Sequence, residues 1–339
     1  MKVTNKLKKW ILYISGISLA LLVIIIFFRH TSTGVREDGS PIPPSGYMNE
    51  TSINIAYVLG GLNLIDYKDY PSADDVEEHR DIVYKTIDSI DLKLDIYTKV
   101  GHTGTAPLII FVHGGSWSGG NKRDYKLYTI PFARKGYITA SIQYRLSGVA
   151  KFPAQLLDVN DAIKFLKRNA ADYHIDASKI ILVGGSAGGH LVLLSAYSNL
   201  DDFNKNGADG ITAEVQAIVD IYGPTDITIE GLRDLKSLEK LMGKSYDDAV
   251  ATYEECSPIN YVSKNAPPTL IFHGTIDSLV PVAQSDVLND TLTSLGVPVY
   301  YHRIDGWPHA MDVSVEVNDY LKYYMEVFFK KYAPKNKNQ

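Results

Sequence analysis

The sequence has a single cysteine, Cys256, among 339 residues. One thiol cannot close an intrachain disulfide, so cysteine usage assigns no redox compartment. Neither a paired Cys/His cluster nor a His-Glu-x-x-His helix is present, so no metal is implied and no cofactor is called for. Basic charge is not in surplus: the formal net charge is −5. With no aromatic-interleaved basic stretch, nothing points to nucleic acid as a partner. Internal repeats are absent, and the length suits one large α/β domain with attachments.

One long uncharged run is present. Trp10 to Phe28 is long enough, at helical rise, to cross the hydrocarbon core of a bilayer. Lys2, Lys6, Lys8 and Lys9 precede it, whereas Arg29 and Arg36 beyond it are partly offset by Glu37 and Asp38. The positive-inside bias therefore puts residues 1–9 in the cytoplasm and the chain from residue 29 onward outside. The run reads as an uncleaved signal anchor over 10–28. A cleaved secretory signal is the alternative, although no small-x-small site comes after the run. Residues 29–46 carry Gly, Pro, Ser and charge and read as a linker. Residues 47–80, with an amphipathic pattern over Ile53 to Leu64 and an acidic segment at Asp74 to Glu78, read as an N-terminal arm, either lid or spacer.

The chemistry starts at Ile180-Ile-Leu-Val-Gly-Gly-Ser-Ala-Gly-Gly-His190, an apolar strand that runs into Gly-x-Ser-x-Gly and then a helix. Such a turn strains the serine backbone, and the side-chain-free Gly184 and Gly188 let strand and helix pass closely. Ser186 is then a candidate nucleophile at a helix start, where the Ala187 amide can meet developing negative charge. Upstream, Pro107-Leu-Ile-Ile-Phe-Val-His-Gly-Gly-Ser-Trp117 is a second buried strand ending in glycines. Its backbone amides are candidates for holding an oxyanion.

On these two motifs the chain resembles the α/β-hydrolase superfamily. Within it, the resemblance is to the His-Gly-Gly-x-Trp esterases and lipases, near the hormone-sensitive-lipase-like and bifunctional acetyl/feruloyl esterase members. It covers roughly residues 80 to 333. It implies an α/β fold with a mostly parallel central sheet, helices on both faces and a small cap, and an oxyanion hole made by the amides of Gly115, Ser116 and Ala187. Ser116 stands where the family's loop has its third glycine, and a backbone amide survives that change. His113 then braces the loop.

In this fold acid and base follow the serine in that order. A strand in Ala266 to Gly274 leads into a turn bearing Asp277, and a strand from Val299 ends in a Gly/Pro loop bearing His309. Both sit at carboxyl ends of adjacent strands, where ligands of open α/β sheets bind. The competing acids are Asp220, inside the strand Val215 to Tyr222, then Asp226 and Asp305. Asp305 reads as a loop-stabilising side chain. His273 and His302 fall within strands and read as hydrogen-bonded core or surface residues, and His190 as a packing residue behind the elbow. Trp117 and Tyr144 are candidate pocket walls, with core packing as the alternative.

The rest of the pattern alternates β and α over a catalytic domain at 81–334. Asp81 to Ile90 and Leu92 to Thr98 read as an antiparallel pair, and Tyr137 to Arg145 as a strand. Pro153 to Asn169, Pro281 to Leu295 and Met311 to Tyr332 read as helices. About 223–264 interrupts the alternation as a cap insertion. The expected function is hydrolysis of carboxylic esters, short acyl ones because the cap lacks a long apolar run, by Ser186, His309 and Asp277 without a cofactor. Expected partners are small-molecule or polysaccharide-linked esters and, through the anchor, the cell membrane. A peptidase, an arylformamidase-type amidase and a non-catalytic tethered binding protein are the alternatives.

Overall fold

The chain is described by a computed structural model that covers residues 10, 13–20, 34–68, 70–198 and 210–335. Most of the apolar run at 10–28 lies outside these residues. Its described part, Trp10 and 13–20, is helical, and among the described residues no helix is long and apolar enough to cross a membrane.

Asp88 and Ser89 both adopt positive φ, at 49° and 63°, the backbone of a two-residue hairpin turn whose twist matches its strands. They join β1 (Val76–Ile87) to β2 (Ile90–Lys99), which pair antiparallel. The apolar run Ala106–Val112 forms β3, buried throughout. Its side chains alternate: Leu108, Ile110 and Val112 enter one core, Ile109 and Phe111 the other, as a strand buried on both faces must do. β4 (Ile138–Ile142), β5 (Ile175–Gly185), β6 (Ala217–Ile221), β7 (Thr269–Gly274) and β8 (Val299–Ile304) complete one sheet, in the order β1-β2-β4-β3-β5-β6-β7-β8. From β4 onward along that order every pairing is parallel.

Helices cover both faces. The first core takes α3 (Ala154–Arg168), α4 (Ala187–Tyr197) and α7 (Ala283–Ser294); the second takes α2 (Lys126–Arg134) and α8 (Val315–Tyr332). Between β6 and β7 the insertion folds as α5 (Lys236–Met242), α6 (Val250–Glu255) and a short 3-10 turn at Pro258–Tyr261.

Three expectations shift. The arm helix, α1, spans Glu50–Val58, not Ile53 to Leu64. An Asn49/Ser52 capping box starts it early, and Gly60, at φ 71°, ends it. The closing helix does not run unbroken from Met311. A 3-10 turn at Met311–Val313 precedes it, and Ser314 is extended because it pairs with Leu64 of the arm. Residues 34–46 do not hang free: Arg36 Nη1 donates to Tyr324 Oη of α8 at 2.8 Å.

Candidate active site

Ser186 sits where β5 passes into α4, with φ 55° and ψ −123°, a conformation that costs a non-glycine residue of order 1–3 kcal/mol. The turn is held from both sides. The Ser186 amide donates to Ile221 O at 2.9 Å, and α4 comes so near β3 that a Cβ on Gly188 would lie 2.0 Å from Val112 O. The bent backbone leaves Oγ facing His309.

His309 lies beyond β8, on the loop that Trp307 and Met311 pin into the second core. Its Nε2 is 2.9 Å from Ser186 Oγ and its Nδ1 is 2.7 Å from Asp277 Oδ2. With Nδ1–H donating to the carboxylate, Nε2 is left to accept the serine proton. Asp277 is 6% exposed, and its Oδ1 accepts from the amides of Leu279 and Val280 at 3.0 and 2.8 Å. Burial alone would raise this carboxyl, but hydrogen bonds from His273 and His309 and the Val280 amide outweigh it and hold it at about 2.

The loop after β3 takes a contorted path: Gly115, Ser116 and Trp117 all have positive φ, at 110°, 52° and 55°. Among the described residues the Gly115 and Ser116 amides donate no backbone hydrogen bond. Ala187 opens α4, where first-turn amides lack helical partners. All three residues border the cavities at Ser186.

Those cavities are unequal. On one side, a recess of about 20 Å³ is walled by Trp117, Ala187, Pro224 and the cap's Leu232, Leu235 and Leu238. On the other, a space of about 570 Å³ is bordered by Tyr67, Lys68, Asp124, Tyr125, Tyr222 and Asp312. Ser186 and Ser116 face both.

Trp117 is therefore a wall, and its Nε1 donates to His190 Nδ1 at 3.3 Å. Tyr144 is not. Its ring stacks on His113 at 4.3 Å and its hydroxyl donates to His113 O at 2.9 Å, so it props the oxyanion loop from behind. His113 is buried, and burial lowers its imidazole. His190 Nε2–H donates to Cys256 O at 2.6 Å, and burial brings its ring down to about 4.

The other acids are engaged elsewhere. Asp220 accepts from the Gly223 amide at 2.9 Å, Asp226 from Thr228, and Asp305 from Thr275 Oγ1 at 3.2 Å. His302 pairs with Tyr320 Oη at 2.7 Å.

Two features go beyond what the motifs point to. His273 Nε2 lies 2.9 Å from Val280 O and 3.3 Å from Asp277 Oδ2, while Nδ1 is 2.7 Å from Ser285 Oγ. An N–H at Nε2 and a lone pair at Nδ1 satisfy all three contacts, so His273 steadies the carboxylate that holds His309. Its place four residues before Asp277 at a strand end was the available signal. The second is Asp312, three residues after His309, which accepts from Tyr128 Oη at 3.0 Å and from Tyr222 Oη. Burial raises its carboxyl against those two hydrogen bonds. The Tyr222 ring lies 4.7 Å from that of His309.

Residues 94–292 match the family described as BD-FAE. A probable carboxylic ester hydrolase, LipM of Mycobacterium tuberculosis, is 35% identical over 65% of this chain and 53% of its own length. The chain thus spans about half the length of the curated relatives it matches. Among solved structures, a truncated carbohydrate esterase from gut microbiota is 26% identical, with a TM-score of 0.67 over 76% of this chain and 98% of its own. A thermophilic esterase of Thermogutta terrifontis, 24% identical, superposes with a TM-score of 0.66 over 79% of this chain and 96% of its own, which marks the α/β-hydrolase fold.

Proposed function

The chain belongs to the BD-FAE family of α/β-hydrolase esterases, and from that premise we propose that it is a serine carboxylesterase for short acyl esters. The observation that carries the proposal is the Asp277–His309–Ser186 relay, at 2.7 and 2.9 Å, standing between two unequal cavities. His309 takes the Ser186 proton as Oγ attacks the ester carbonyl, and Asp277 stabilises the imidazolium that forms. The amides of Gly115, Ser116 and Ala187 receive the oxyanion. His309 then gives its proton to the leaving alcohol, and water repeats the cycle on the acyl-enzyme.

Size assigns the two halves of the ester. A single water needs roughly 10–15 Å³ of such space, so a recess of about 20 Å³ seats an acetyl methyl and little more. The wide side is left for the alcohol. The names of LipM and of the gut carbohydrate esterase support an ester bond as the target. A formyl group would fit the recess equally, which keeps the arylformamidase reading as the second one.

The test is turnover of p-nitrophenyl esters from acetate to decanoate, with a formyl anilide beside them and Ser186→Ala in parallel. Activity peaking at acetate and lost in the variant is expected. A maximum at long chains, or activity that survives Ser186→Ala, would sink the assignment. We also propose that residues 10–28 anchor the enzyme with its catalytic domain outside the cytoplasm. The uncharged run and the lysines before it support this reading. Protease added to intact cells should digest the catalytic domain, and full protection would refute the topology.

A further inference from the structure

The family match begins at residue 94, yet the chain before it is bound into the site. The Gly46 and Tyr47 amides donate to Asp305 O and Gly306 O at 3.1 and 2.7 Å. On the far side of the His309 loop, Ile65 N donates to Val313 O at 2.8 Å and Val315 N to Asn63 O at 3.0 Å. Trp307 Nε1 donates to Pro44 O at 3.0 Å. The arm therefore pairs with the loop both before and after the catalytic histidine, like a strap fastened at two ends. Where the second fastening ends, Tyr67 and Lys68 enter the wall of the wide cavity that Ser186 and His309 also line.

We propose that this arm is a working part of the active site, whose Tyr67 and Lys68 close an outer subsite for a hydroxyl-rich, sugar-like alcohol half of the ester. The proposal rests on the esterase function proposed for the same site. Its chemistry comes from the wall. The Tyr67 ring offers an apolar face, and the Lys68 ammonium, 5.9 Å from the centre of that ring, offers donors only. Across the same cavity the Asp124 carboxylate and the Tyr125 and Tyr222 rings supply acceptors and further faces. Donors, acceptors and aromatic faces together suit an array of hydroxyls on a ring, whereas a simple aliphatic alcohol would use only the faces. The recess is closed by the cap and the wide side by the arm, so each half of the ester is selected by a different attachment to the same sheet.

The experiment compares p-nitrophenyl acetate with O-acetylated xylotriose on the full chain and on Tyr67→Ala, Lys68→Ala and the double variant. Tyr67 is half-buried and Lys68 exposed, so the variants are expected to fold, and melting temperature checks this. In the double variant kcat/KM for the saccharide should fall about tenfold or more relative to that for p-nitrophenyl acetate, mainly through KM. Equal effects on the two esters, or none on the saccharide, would overturn the subsite. No turnover of either ester by the unaltered chain would instead overturn the esterase reading and take the subsite with it.

Discussion

Asp277 is asked to do two things, and its surroundings separate them. Its Oδ1 is fixed by two backbone amides, while Oδ2 faces His309 and His273. Replacing it with Asn keeps the shape but removes the charge and favours the wrong His309 tautomer. Asp277→Asn should lower kcat about 10³–10⁴-fold with KM little changed, and steady-state kinetics on p-nitrophenyl acetate would show it. The same carboxyl ties stability to pH. Its folded value of about 2 lies below the ordinary 3.8, so its stabilisation, about 2 kcal/mol, is complete above pH 4 and lost as pH falls through 2. Asp277→Asn should therefore flatten the acid limb of a denaturation profile, and an unchanged limb would contradict the assignment. The meeting of Ser186, Asp277 and His309 was legible because each stands at a strand end in a short pattern with a chemical reason. The contacts of His273 and Asp312 were not, because their partners Val280, Ser285, Tyr128 and Tyr222 meet them only once the chain is folded.

Leucines of the insertion form part of the wall of the recess beside Ser186, and on the proposed function they gauge the acyl group. Shortening one wall should lengthen the acyl chain accepted. For Leu235→Ala the hexanoate-to-acetate ratio of kcat/KM is expected to rise about tenfold, in line with the cost of one or more methylenes in a fitted pocket. An unchanged ratio would mean that the cap does not gauge the acyl group. The arm invites an equally direct trial. A Cβ on Gly46 would lie 2.3 Å from the Gly306 carbonyl carbon, so Gly46→Val should detach the strap's first fastening and lower kcat on every ester, with the far-ultraviolet spectrum preserved. Strands and the long helices could be read from periodicity to within a few residues. The break at Ser314 could not, since it comes from pairing with Leu64, some 250 residues away. Tyr144 stays open between pocket wall and core packing in the sequence for a similar reason: a strand-end aromatic has two directions to face, and stacking on His113 decides between them.

Over the whole molecule, the order of elements was legible because β and α alternate with clear punctuation, and the two hydrophobic cores arise from strands apolar on both faces. The arm's docking was not, because its sequence carries turn and cap signals but nothing that names the loop it straps. One buried imidazole joins three otherwise separate parts: His190 accepts from Trp117 of the loop after β3, donates to Cys256 O within the insertion and sits on α4. Its value of about 4 lies below the ordinary 6.5. The stability that this neutral ring confers, about 3 kcal/mol, is whole above pH 6.5 and drains away as pH falls toward 4. Urea midpoints at pH 7 and pH 5 should differ accordingly, with the slope smaller by one proton in His190→Asn, whereas equal pH dependence in the two proteins would contradict the coupling.

The unequal spaces beside Ser186 also bear on the fate of the acyl-enzyme. On the proposed function, departure of the alcohol leaves the acetyl group in the narrow recess and the wide side open. Water then competes there with any sugar dissolved at high concentration. An enzyme with the proposed function would, in concentrated saccharide, pass acetyl groups from one sugar to another, and the yield of transacetylated product would measure how far that open side prefers a sugar hydroxyl to water.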